Sequence, residues 1–199
     1  METKVETIDD QPEFLKEIRL WHIFVGVGIL VLGAVFHFMF DWLGSWKPIG
    51  WLFPVNESVW EHTKLIFWPG FILYAIEFGF LRKKVNNFFL GKAVAFYVSV
   101  LSIIFLHYGI AEAFGLHAYP SAELALDIII FAGSIALQQW LSIRLLKRDE
   151  ISESKPLARL IPSIVAIAIL GVLMILFTYL PPHIPLFEHM ESGLYGILP

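Results

Sequence analysis

Cysteine is absent from this chain, and charge is scarce: Lys, Arg, Asp and Glu together make up 16% of the 199 residues. Without a thiol there are no disulfides, thiolate metal sites, cysteine nucleophiles or Cys-held iron–sulfur clusters, so any metal must be held by His nitrogen and carboxylate oxygen. The N-terminal METKVETIDDQPEFLKEIRL lacks the basic start, short apolar core and small-residue cleavage site of a signal peptide. It reads as a retained cytoplasmic tail, partly an interfacial helix, ahead of an uncleaved insertion signal. A net charge of −4 offers no basic surface to nucleic acid. HExxH, HxH and Gly-x-Ser-x-Gly strings are missing too, which removes the short signatures of zinc peptidases and serine hydrolases.

What the chain has is apolar length. Hydrophobic residues make up 57% and the mean hydropathy is +0.70. Five runs, near 20–43, 59–81, 88–114, 122–146 and 158–180, each reach the roughly 20 residues a helix needs to cross a ~30 Å hydrocarbon core. Hydrocarbon cannot hydrogen-bond the backbone, so helix is selected even where Val, Ile and Phe are dense. The expectation is an all-α integral membrane bundle of five transmembrane helices over 20–180. A tail at 1–19 precedes it, and a Pro- and Gly-rich segment at 181–199 packs back on it.

Charge supplies an orientation. Lys4, Lys16, Arg19, Arg82, Lys83, Lys84, Lys92, Arg144, Lys147, Arg148, Lys155 and Arg159 flank one side of the five spans, leaving only Lys47 and Lys64 of fourteen basic residues for the other. By the positive-inside rule the N-terminus is cytoplasmic and the C-terminus outside, in a multi-pass protein of the cell membrane. Six of the seven histidines, His37, His62, His107, His117, His183 and His189, then fall at the outer side. The long connection GSWKPIGWLFPVNESVW should cover the outer mouth of the bundle.

Ionisable groups within spans are costly and tend to face the interior or a cavity. His37 and Asp41 stand four apart near the end of the first span, on one helical face. Glu57, Glu61 and His62 crowd the start of the second, where Ser58 and Glu61 also form a capping box. His107 and Glu112 lie near the outer end of the third span, Glu123 and Asp127 near that of the fourth, and His183 follows the ProPro after the fifth. A divalent ion such as zinc is the cofactor this set suits, with His37, Asp41, His62 and His183 as candidate ligands and Glu57 or Glu61 as candidate general base. Structural roles stand beside these: Glu61 as a cap, the others as solvated or paired interfacial groups. Glu77 is expected to snorkel toward Arg82 or Lys83, and Gln138 and Gln139 to make interhelical hydrogen bonds. Gly26, Gly28 and Gly33 read as packing positions, and Pro69 as a kink.

The string PVNESVWEHTKLIFWPG, with FHFMFDW at 36–42, NNFFLGKA at 86–93, the Asp127-to-Gln139 stretch and FTYLPPHIPLFEHMESGLYGI at 177–197, resembles a family of small bacterial and archaeal membrane proteins defined only as a domain of unknown function. The resemblance implies a fold and a membrane location but no activity. It marks His37, Asn56, Glu57, Glu61, His62, Pro181, Pro182 and Tyr195 as positions of the family pattern. Three functions fit the residues. The first is a metal-dependent membrane hydrolase at the outer leaflet, acting on a lipid, lipid-linked or peptide substrate. The second is a small transporter or transport-accessory protein using the same groups for protons or a cation, and the third a structural membrane subunit. Membrane lipid is the expected partner in each, and a second copy or another membrane protein stays open.

Overall fold

A computed structural model of the chain describes residues 12–82, 84, 85, 87–115, 119–146, 156–190 and 192–198. Five helices follow in order: α1 (Pro12–Trp42), α2 (Val59–Leu81), α3 (Phe88–Phe114), α4 (Pro120–Leu146) and α5 (Pro156–Tyr179). Each is long and apolar enough to cross a membrane. Among the described residues there is no strand, only one isolated bridge between Glu188 and Tyr195. Residues 1–11, Lys83, Asn86, His117, the basic 147–155 stretch, Glu191 and the Glu112 side chain lie outside the described residues.

Four helices end within two residues of the expected spans, whereas α1 begins at Pro12 rather than near 20. Pro suits the first helical position, and Glu13 in the first turn complements the helix dipole. The added turns also bury Ile18 completely, so part of the expected tail belongs to the bundle. Pro69 stays inside a continuous α2. α1 packs on α2 and α4, while α3 packs on α2, α4 and α5. α2 is the most enclosed helix and α5 the most exposed. One face of the bundle joins the end of α1, the 43–58 connection, the start of α2 and the segment after α5; it is called here the His37 end. The α2–α3 turn marks the opposite, Arg82 end.

Toward the Arg82 end the interior is polar, and here the structure departs from expectation. Glu77 does not snorkel: it is fully buried and pairs with Lys92 at 2.6 Å. Lys92 belongs, by sequence, to the basic flank, yet it is 1% exposed and lies 3.9 Å above the Tyr74 ring. His22 of α1 completes the group, its Nδ1 2.8 Å from the Ile18 carbonyl and its Nε2 3.0 Å from Ser142 Oγ and 3.3 Å from Lys92 Nζ. Gln139 donates to the Tyr74 hydroxyl at 3.1 Å, while Gln138 finds no hydrogen-bond partner among the described residues. Four helices are thus tied through one buried network.

Candidate metal centre

At the His37 end three side chains converge from three separate segments. His37 comes from α1, Glu57 from the connection, and His62 from the first turn of α2. Their nearest atoms form a small triangle: His37 Nε2 to His62 Nε2 is 3.2 Å, His37 Nε2 to Glu57 Oε2 is 3.5 Å, and His62 Nε2 to Glu57 Oε2 is 3.0 Å. Ligand atoms about 2.0–2.1 Å from a tetrahedral zinc ion lie roughly 3.3–3.4 Å apart. The triangle therefore matches one face of such a tetrahedron, with no fourth protein ligand in the group among the described residues. Two neutral imidazoles and one carboxylate are also the donor set of open, catalytic zinc sites. The two imidazoles hold the Glu57 carboxyl well below the usual carboxylate range, through the hydrogen bond from His37 first and that from His62 second.

Local sequence explains how Glu57 reaches this point. Asn56 Oδ1 accepts from the Ser58 backbone N–H at 2.9 Å, and its amide donates to the Gly196 carbonyl at 2.8 Å, so one residue ties the connection to the C-terminal segment. Ser58 caps α2 by accepting from the Glu61 N–H at 3.3 Å. Glu61 does not close the capping box on Ser58. Its Oε2 instead accepts from the Val55 N–H at 2.9 Å and from Lys64 Nζ at 2.5 Å. Lys64, also fully buried, reaches on to the Gly50 carbonyl at 2.8 Å. Glu57 is thus held between pinned neighbours on both sides.

The two histidines meet because α1 and α2 approach closely one turn away. A Cβ added at Gly33 would lie 2.9 Å from the Leu65 carbonyl oxygen and 2.9 Å from the Phe131 ring. Only Gly allows backbone this near. His37 follows Gly33 by four residues and His62 precedes Leu65 by three, so this contact sets their separation.

A cavity of about 410 Å³ opens beside the triangle, lined by His37 and His62 on one side and by His107 and Asp127 of α3 and α4 on the other. Its remaining walls are apolar, among them Leu65, Ile103 and Phe131. Its edges are the exposed stripes Leu30 and Phe38 of α1 and Leu124 and Ile128 of α4, so it opens sideways between two helices. No Lys or Arg lines it among the described residues.

Not every expected site residue joins the triangle. His37, Glu57 and His62 come together, and Glu57 does so as a member of the donor set. Asp41 is exposed, with Ser45 Oγ at 3.5 Å from its carboxylate. Glu61 is 2% exposed and engaged by Lys64 and Val55. His183 is exposed and stacks on Tyr195 at 4.6 Å between ring centroids. The sequence reading missed the roles of Lys64, Asn56 and the His107–Asp127 pair. For the pair a signal was available, since each lies seven residues from the His37 end of its helix and so at one depth. No curated protein and no solved structure matches the chain. Over residues 13–197, nearly the whole length, it matches and belongs to a family of unknown function, DUF6512.

Proposed function

We propose that this protein is a membrane-embedded, divalent-metal-dependent hydrolase of neutral acyl lipids, with its site near the outer leaflet. The observation that carries the reading is the His37–Glu57–His62 triangle, spaced for a tetrahedral ion and with no fourth protein ligand in the group among the described residues. A divalent ion there would lower the pKa of a bound water and polarise a carbonyl. The sideways cavity argues for a substrate that arrives from the bilayer, its chain among Leu65, Ile103 and Phe131 and its polar link at the triangle. Carboxylates with no facing Lys or Arg among the described residues disfavour an anionic phosphate and suit an uncharged ester or amide. The charge asymmetry of the sequence, read by the positive-inside rule, favours an outer position for the triangle. Lys92 drops out of that count because it is buried against Glu77.

Elemental analysis of the detergent-purified protein tests the metal. One zinc per chain is expected in the intact protein, and little or none in His37→Ala, His62→Ala or Glu57→Gln. Long-chain acyl esters should be hydrolysed, chelator should stop the reaction, and added zinc should restore it. Intact protein that neither contains nor takes up a divalent ion would overturn the reading. Reporter fusions after Lys84 and Pro199 test the orientation by opposite signals, and equal signals would overturn it.

A further inference from the structure

We infer that Phe131 selects the acyl group, admitting straight chains at the triangle and turning away groups branched beside the carbonyl, an inference that rests on the hydrolase reading above. The 410 Å³ cavity has a polar level, where His37, His62 and Asp127 line it, and an apolar level one helical turn further from the His37 end. At the apolar level α1 to α4 contribute Gly33, Leu65, Ile103 and Phe131 in turn. Phe131 follows Asp127 by four residues on α4, so the two share a face and the ring lies one turn below the carboxylate. Its ring also reaches α1: a Cβ placed on Gly33 would stand 2.9 Å from Phe131 Cζ and 3.5 Å from its Cε1. Deeper still the same two helices stay close, with a Cβ placed on Gly26 lying 3.2 Å from Gln139 Cγ. Phe131 is therefore the floor of the cavity, at the level where α1 and α4 begin to part.

Such a cavity reads the width of a substrate rather than its length. The room between the polar level and the floor is one helical pitch, about 5.4 Å, enough for the first few carbons of a chain. Beyond them the cavity is open at the side, between Leu30 and Phe38 of α1 and Leu124 and Ile128 of α4, all exposed. An unbranched chain turns there and continues among the lipid tails. A second substituent on the carbon next to the carbonyl has no such exit, because it points onto the Phe131 ring between Leu65 and Ile103, each only 6% exposed. Forcing extra carbon into a packed wall displaces side chains and backbone, so the branched group is held off the triangle.

Acyl-group preference tests this floor. Zinc-loaded full-length protein and its Phe131→Ala and Phe131→Leu variants are compared on p-nitrophenyl decanoate and its α-ethyl-branched analogue, with zinc content measured in each. The ratio of kcat/KM for the branched ester to that for the straight one is compared between variant and wild type, which cancels the esters' intrinsic reactivity. Phe131→Ala should keep its zinc and raise that ratio by about 10–200-fold, the range that one methylene is worth in an apolar pocket. Phe131→Leu should raise it less, and it carries the comparison if Phe131→Ala does not fold. A merely structural role would lower both rates together and leave the ratio alone. An unchanged or lower ratio in the zinc-loaded variants, or loss of zinc from both, would overturn the role of Phe131. Wild-type protein that holds zinc and cleaves neither ester would instead overturn the hydrolase reading itself.

Discussion

Two polar groups of similar composition occupy opposite halves of this bundle, and they differ in what they leave over. Around His22 every strong partner is inside the group: Nδ1 faces a backbone carbonyl, Nε2 faces Ser142 and Lys92, and Lys92 also pairs with Glu77. Because Nδ1 serves that carbonyl it carries the ring proton, and Nε2 accepts from both donors. The residues are at most 1% exposed. Around His37 two ring nitrogens and a carboxylate oxygen converge on one another, and the side chains are 25–46% exposed. A closed network locks helices together, whereas nitrogen and oxygen ligand atoms that converge at a partly exposed point suit a cation. Histidine and carboxylate in a membrane helix therefore signal function only when their partners have been counted.

The sharpest break of this comparison is a double dissociation on metal. His62→Ala should take the zinc content from one per chain to none with the fold retained. His22→Ala should leave it at one and lower stability. Acidification sharpens the same contrast. The Glu57 carboxyl is held below its ordinary range, so it stays ionised, and keeps its favourable contribution, as pH falls through that range. Protons compete with the ion for the two imidazoles, so zinc affinity should fall as the solution is acidified. Zinc affinity that does not change on acidification, or loss of the ion from His22→Ala, would erase the distinction between the two regions.

The closed network should answer in stability instead. Lys92→Met leaves Glu77 buried without its cation, which costs about 3–5 kcal/mol, whereas replacing both with apolar residues of similar size is close to neutral. Denaturation in detergent should show a destabilised single variant, a recovered Glu77→Leu/Lys92→Met double variant, and one zinc per chain in both. A double variant as unstable as the single would mean that the pair is more than a helix lock.

The five helices were legible because hydrocarbon imposes a minimum length on each apolar run, and no tertiary information is needed to see it. The triangle was half legible. His37, Glu57 and His62 stand at one depth in the sequence, but so do Asp41 and His183, and depth alone does not say which side chains share a rotational position about the bundle axis. Glu61 shows the limit most clearly, because the i,i+3 capping pattern and the Lys64 at i+3 both compete for its carboxylate, and the Val55 backbone N–H, six residues away in the connection, helps decide the outcome. Lys92 was misplaced because a positive charge near a helix end reads as solvated unless its partner on another helix is known.

Helix spacing gives a smaller, graded effect. Gly33→Ala would press a methyl group against the Leu65 carbonyl, which is backbone and cannot rotate away, so α1 must move off α2. Overpacking of this kind costs about 1–3 kcal/mol. Because His37 and His62 sit one turn from the contact, zinc affinity should fall by about 10–100-fold, as it does when a ligand loses its orientation. Gly28→Ala is the control: its Cβ would meet a Leu73 methyl at 2.8 Å, and a side chain can yield. Equal losses of zinc in the two variants would show that α1–α2 spacing does not set the triangle.

The smallest effect belongs to the cap that starts α2. Ser58→Ala removes the acceptor for the Glu61 N–H and nothing else with a stated partner, since the Ser58 N–H still binds Asn56. Loss of a cap typically costs about 0.5–2 kcal/mol, and a change of 1 kcal/mol lowers the melting temperature by about 2–4 °C in a chain of this size. Zinc should remain at one per chain, because the Glu61 carboxylate still holds Val55 and Asn56 still holds Gly196, fixing the connection on both sides of Glu57. Asn56→Ala cuts two of those ties together and should weaken zinc more than the cap variant does. If Ser58→Ala loses its metal while Asn56→Ala keeps it, the start of the helix, rather than the lacing of the connection, is what delivers Glu57 to the two histidines.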